Sequence, residues 1–142
     1  MSEAGPAAGT ASELVEHTGE LELRVRGPSL GAVYAEALRA LADELVDRRG
    51  EGPRERRAVD LSASGPDTLL ADLLNEAIFR SETEGFVADD LEVRELAGGR
   101  LRGALVGRLH DEARPVVKAA TYHRLQARRD GDGWVAGVVL DV

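Results

Sequence analysis

Apolar residues recur at two different periods along this chain, and the places where the period switches constrain the fold more than any other feature. From Ser29 onward, Leu30, Val33, Tyr34, Ala37, Leu38, Leu41 and Leu45 repeat at three- and four-residue spacing, with Glu36, Arg39 and Asp43 between them. That is the stripe of a helix that buries one face, and Ser29 stands where its N-cap belongs. A second stripe, Leu69, Leu70, Leu73, Leu74, Ala77 and Ile78, follows Ser64-Gly65-Pro66-Asp67, in which Ser64 and Asp67 have capping-box spacing. The Gly-, Pro- and Arg-rich stretch from Arg48 to Arg57 between the two helices reads as a loop.

Elsewhere the period is two. Leu21, Leu23 and Val25 alternate with Glu20, Glu22, Arg24 and Arg26, as in a half-buried strand. Val59, Leu61 and Ala63 form a short strand, and Leu91 and Val93 lead into the Gly98-Gly99 turn, after which Leu101, Leu105 and Leu109 alternate with Arg102 and Arg108. Val116 to Arg128 and Trp134 to Val142 flank Asp130-Gly131-Asp132-Gly133, a hairpin signal. The order β-α-β-α-β-β-β-β predicts a single α+β domain, a mostly antiparallel sheet with two helices packed on one side.

Composition narrows the function. Eighteen basic against 26 acidic residues give a net charge of −8, which argues against a strong direct grip on nucleic acid. No apolar run reaches the length of a membrane span. Residues 1–12, MSEAGPAAGTAS, lack a basic start and an apolar stretch and read as a disordered tail before a domain over 13–142. A cytoplasmic location is the default expectation. The absence of cysteine removes disulfides, thiolate zinc sites and cysteine nucleophiles. No phosphate-cradling loop, nucleophile elbow or paired metal-binding histidines appear. Of the 18 basic residues 17 are arginine, so Lys118 stands alone, at a position where a compact ammonium differs from a planar fork.

Three histidines are available. His110, in His-Asp-Glu-Ala, reads as a solvated loop residue. His17 precedes Thr18-Gly19-Glu20, where Gly19 suggests a bulge or close backbone approach. His123 ends Lys118-Ala119-Ala120-Thr121-Tyr122-His123. If this segment is a strand, Lys118, Ala120 and Tyr122 share one face and Thr121 and His123 the other. Leu140-Asp141-Val142 closes the sequence. A carboxylate on Val142 beside Asp141 calls for a neutralising cation or base. With Glu20 nearby, three oxygen donors suit a hard divalent cation such as Ca²⁺ or Mg²⁺; without it, these residues are a frayed, solvated end.

These segments together resemble the archease family, small accessory proteins of the GTP-dependent RtcB-type RNA ligase of tRNA splicing and RNA repair. Glu16-His17-Thr18-Gly19-Glu20 is similar to the family's E-H-T-A-D, and Leu69 to Glu76 to its L-L-x-x-x-L-N-E helix. Glu84-Gly85, Lys118 to His123 and Asp141-Val142 complete the likeness, which runs from Leu14 to Val142. The resemblance implies a divalent-cation site, Ca²⁺ first with Mg²⁺ or Mn²⁺ as alternatives, at Glu20, Asp141 and Val142. It implies a surface formed by His17, Lys118, Thr121, Tyr122 and His123. It also implies a protein partner, the ligase, whose guanylylation and turnover the family member promotes without being an enzyme itself. Glu20 and Gly19 depart from the family's Asp and Ala; Glu is one methylene longer and still able to ligate. The competing expectation is a small metal-dependent hydrolase using His17 or His123 as base, or a small-molecule binding domain.

Overall fold

The computed structural model describes residues 9–48, 50–113 and 116–142; residues 1–8 of the expected tail and Arg49 of the expected loop lie outside them. Eight strands and two helices follow in the order β1 (Ala11–His17), β2 (Glu20–Gly27), α1 (Leu30–Leu45), β3 (Glu55–Ser62), α2 (Pro66–Glu84), β4 (Phe86–Ala97), β5 (Arg100–Leu109), β6 (Ala119–Ala120), β7 (Gln126–Asp130) and β8 (Gly133–Asp141). Every strand pair is antiparallel. The α+β expectation therefore holds, but the strands divide into two sheets instead of one. The first runs β1-β2-β8-β6, with β7 also paired to β8; the second runs β3-β5-β4. Both helices touch strands of both sheets, so they do not lie on one side of a single sheet.

Both helices begin where the chain chemistry dictates, with one shift. Ser29 caps α1, its hydroxyl accepting from the Ala32 N–H at 3.1 Å. At α2 the cap is Gly65 rather than Ser64, because Pro66, with its fixed φ and missing N–H, takes the first helical position. The box closes through Thr68, whose hydroxyl accepts from the Gly65 N–H at 3.1 Å. The Asp67 carboxylate accepts from the Thr68 N–H at 2.7 Å instead of pairing with Ser64.

Tyr34, Leu38, Leu41, Leu70, Leu73, Leu74 and Phe86 fill the fully buried centre, joined by Leu23 from β2 and Val138 and Leu140 from β8. The Tyr34 hydroxyl donates to the Pro66 carbonyl at 2.7 Å, tying α1 to the start of α2, and burial pushes the phenol's pKa up. Glu36, polar in the helical stripe, is buried as well. Arg39 grips its carboxylate with two hydrogen bonds of 2.9 and 2.6 Å, and Ser12 of β1 donates to it. Burial opposes the charge, but these partners hold the carboxyl below the ordinary range. The pair thus pins the edge strand β1 to α1. β1 begins at Ala11, inside the stretch expected to be tail.

Gly85 ends α2 with φ +72° and joins it to the β5 end, because its carbonyl accepts from the His110 N–H at 2.8 Å. A Cβ at Gly85 would lie 2.7 Å from the His110 carbonyl oxygen. Gly85→Ala therefore combines a left-handed backbone penalty of about 1–2 kcal/mol with a contact only backbone movement relieves. Denaturant unfolding of the variant is expected to lose at least about 1 kcal/mol; a midpoint equal to the parent's would contradict this account of the cap.

Candidate functional site

One rung of the first sheet gathers the candidate residues. The β1–β2 register sets His17 opposite Glu20, the β2–β8 register sets Glu20 opposite Asp141, and the β6–β8 register sets Asp141 opposite Ala119. Directly opposed residues on antiparallel strands point to the same face, with Cβ atoms about 4.5–5.5 Å apart. That face points away from the core: Leu21 and Leu23 pack toward it, whereas Glu20, Glu22 and Arg24 lie on the other side. Val142 follows Asp141 and is partly exposed.

Thr18 and Gly19 connect β1 to β2 as a two-residue turn, with Gly19 at φ +78°. A Cβ there would meet nothing within 4 Å. The glycine is required by its left-handed backbone alone, and the expected close approach is not its reason.

The segment Lys118 to His123 departs from the strand expected of it. Only Ala119 and Ala120 pair as β6, so the two-face reading of Lys118, Tyr122, Thr121 and His123 does not apply. Its free edge is closed by a side chain: Asn75 of α2 accepts from the Ala120 N–H at 2.8 Å and donates to the Ala120 carbonyl at 3.0 Å. Asn75 thereby acts as a surrogate strand partner and stops the ladder. The Lys118 and Thr121 N–H groups still bond the Asp141 and Val139 carbonyls at 2.8 and 2.9 Å. After Thr121 the backbone turns, with the Thr121 hydroxyl accepting from the His123 N–H and Arg124 at φ +52°.

The turn sends the side chains to different neighbours. The Tyr122 hydroxyl donates to Asp72 of α2, and the acceptor raises the phenol's pKa. Arg124 swings back over the rung and donates to Glu20 at 2.7 Å and to His123 Nε2 at 2.8 Å. The Arg124 hydrogen bond is the main cause that lowers the Glu20 pKa, against a smaller opposing effect of desolvation. A carboxylate held down in this way adds stability above the ordinary glutamate range and loses it as pH falls through the lowered value. His17 Nε2 lies 3.3 Å from Glu22, which also accepts from Arg24 at 3.1 Å. Both histidines of the hydrolase alternative are thus engaged, His17 with Glu22 and His123 with Arg124.

Lys118 is exposed and makes no ion pair among the described residues. His110 is not a solvated loop residue. Its Nε2 accepts from the Gly50 N–H at 2.8 Å and its Nδ1 lies 3.0 Å from the Arg108 carbonyl. Arg54, Arg56 and Arg57 are paired rather than free for an acidic partner: Arg54 with Asp89, Arg56 with Glu92 and Arg57 with Glu84.

Glu20 and Asp141 stand directly opposed on paired strands, and carboxylate oxygens are the donors a hard cation takes. Among the described residues no three histidine, cysteine, aspartate or glutamate side chains form a metal-binding cluster. Glu20 has Arg124 as its counter-ion. A cation drawing on Glu20 must therefore displace that guanidinium or share the carboxylate with it.

Sequence reasoning marked Asn75 only as part of a likeness and did not mark Arg124 as a rung residue. A lone Asn within a helical stripe is a detectable signal, because its amide needs partners that the helix does not supply. Replacing Asn75 by Ala strands one donor and one acceptor of Ala120 and is expected to cost about 1–3 kcal/mol. Asn75→Asp, which keeps the acceptor alone, should fall between. Thermal or denaturant unfolding checks the order; an unchanged Asn75→Ala would show that β6 does not depend on the clamp.

Comparison with known proteins agrees with the geometry. Residues 13–142 match the family model described as the Archease protein family (MTH1598/TM1083). The protein archease of Methanopyrus kandleri is 36% identical over 139 residues, covering 92% of this chain and 98% of that protein. That of Thermococcus gammatolerans is 33% identical, covering 92% and 97%. The solution structure of protein 1598 from Methanobacterium thermoautotrophicum superposes with a TM-score of 0.69 at 22% identity, over 92% of this chain and 98% of that one. The crystal structure of an archease from Thermotoga maritima, described as a possible chaperone, gives 0.65 at 22% identity over 90% and 94%. The chain belongs to the archease family.

Proposed function

We propose that this protein is an accessory factor, not an enzyme, that promotes guanylylation and turnover of an RtcB-type GTP-dependent RNA ligase, using a divalent cation held by Glu20, Asp141 and Val142. Ca²⁺ is the first choice, because carboxylates of differing reach suit its flexible coordination better than the strict octahedron of Mg²⁺. The observation that carries this reading is the β2–β8 register, which sets Glu20 directly against Asp141. Two carboxylates so close repel each other unless a positive charge intervenes. A bound divalent cation supplies that concentrated charge on an exposed face.

The chain's own residues do the positioning. Lys118, just before β6, holds the Asp141 backbone through its N–H, and the Asn75 clamp fixes β6 in turn. Arg124 holds the Glu20 carboxylate ionised and aimed along the face. Because it occupies Glu20, Arg124 competes with the cation for that carboxylate. His17, Lys118, Thr121, Tyr122 and His123, all partly or fully exposed, are the surface offered to the ligase in this reading. The chain's net charge of −8 favours contact with the ligase over contact with its RNA.

Calcium titration and a ligase-guanylylation assay on the same variants test this reading. Asp141→Ala and Glu20→Gln are expected to weaken Ca²⁺ binding by about tenfold or more, to abolish stimulation of the ligase and to leave the melting temperature without metal nearly unchanged. Arg124→Gln is expected to bind Ca²⁺ more tightly than the parent. Full stimulation by Asp141→Ala would overturn the proposal.

A further inference from the structure

The rung of acids occupies only one end of the outer face of the first sheet; the other end carries the opposite charge. Two rungs farther along, β2 places Arg24 opposite Gly137 and β8 places Gly137 opposite Gln126 of β7. The next rung of that face sets Arg26 opposite Val135 and Val135 opposite Arg128. A cleft of about 470 Å³ lies here, lined by Glu13, Arg24, Arg26, Gln126 and Arg128 over an apolar floor that includes Val135. This volume falls in the range of small-molecule sites.

The charges within it are unequal. Three arginines face two carboxylates, Glu13 and the Glu22 that holds Arg24, which leaves one positive charge on a chain whose total is −8. Arg24 is occupied, held by Glu22 at 3.1 Å and Glu13 at 3.8 Å. Arg26 and Arg128 have no ion-pair partner among the described residues. The contrast with other arginines is local and physical: Arg129, one residue on, points to the opposite face and lies over the Trp134 ring. Strand spacing puts the Cα atoms of Arg26 and Arg128 about 10 Å apart across Val135, a span that two arginine side chains close over a single phosphate. Gly137 carries no side chain into the neighbouring rung, and the Gln126 side chain lies over it, its amide nitrogen 3.4 Å from where a Cβ would stand.

We infer that this cleft is a binding site for a small phosphate-bearing dianion, held between the guanidinium groups of Arg26 and Arg128. Guanidinium forks match phosphate oxygens in pairs, and Gln126 offers an amide beside them. The two guanidinium groups without an ion-pair partner match the two charges of a dianion. A long polyanion is disfavoured, because only the first phosphates meet the cleft while the rest face the acidic surface around it. Inorganic diphosphate and the phosphate of a nucleotide share this chemistry. The inference rests on the cleft alone and not on the proposed cation site.

Isothermal titration of the full chain at low ionic strength tests it with three probes: inorganic pyrophosphate, adenosine monophosphate, and a single-stranded RNA without a terminal phosphate. Saturable one-to-one binding of pyrophosphate is expected, weakening as salt rises. A comparable affinity for adenosine monophosphate would mark the natural ligand as a nucleotide; a much lower one would mark it as a free diphosphate. Arg26→Gln and Arg128→Gln are each expected to lose about tenfold. Arg100→Gln, on the second sheet and paired with Asp60, should bind like the parent. Both cleft arginines are exposed, and circular dichroism melts check that the variants fold. Absence of saturable binding, equal affinity in the cleft variants, equal loss in Arg100→Gln, or tighter binding of the RNA than of pyrophosphate would each overturn the inference.

Discussion

The ladder between β2 and β8 runs through eight opposed pairs, from Glu20 and Asp141 to Gly27 and Trp134, and almost everything else hangs on its register. Ala136, Val138 and Leu140 of β8 face the core with at most 5% exposure, and Leu23 and Val25 of β2 meet them there. A slip of one residue would turn that whole set outward. Burial of the inner face therefore fixes the outer face as well, including which charge stands opposite which. β8 is also the strand on which β6 and β7 build. Hydrophobic packing on one side of the sheet thus sets the electrostatics on the other.

The outer face that results is polarised along its strands. Glu20, Glu22 and Asp141 gather at one end, and Arg24, Arg26 and Arg128 at the other. Arg124 bridges to the acidic end from a turn, since its positive φ folds the chain back over Glu20. The net charge of the chain conceals this separation. The same five-stranded sheet presents oxygen donors at one end of its outer face and guanidinium groups at the other, and an edge strand, β1, completes both.

Local periodicity made the helices legible in sequence, because stripes such as Val33, Tyr34, Leu38, Leu41 and Leu45 face a continuous core. Turn chemistry did the same for the hairpin at Gly131-Asp132. β1 was not legible: as an edge strand it has Leu14 and Val15 both half-buried, so the alternation that marks a strand is blurred. Nor does alternation say which strands share a sheet, and the division into two sheets comes from pairing across long stretches of chain. Residues 116–128 read as one strand because Val116, Val117, Thr121 and Tyr122 favour extended backbone and no Gly or Pro interrupts them. Asn75, 45 residues away, closes the ladder after Ala120, a tertiary effect that local propensity does not contain. The site divides similarly. Glu20 and Asp141 were candidates from their chemistry and a family likeness, whereas their opposition and the intrusion of Arg124 depend on the register.

The claim at the centre is that this register makes one rung a cation site. Titration with Mn²⁺ followed by nuclear magnetic resonance tests it without a partner protein, because the paramagnetic ion broadens the signals of nearby nuclei first. The account predicts that the amides of Glu20, Ala119 and Asp141 broaden at the lowest Mn²⁺ concentrations, that Ca²⁺ reverses the effect, and that Asp141→Ala abolishes it. Broadening that starts at other acidic positions, or that persists unchanged in Asp141→Ala, would contradict it.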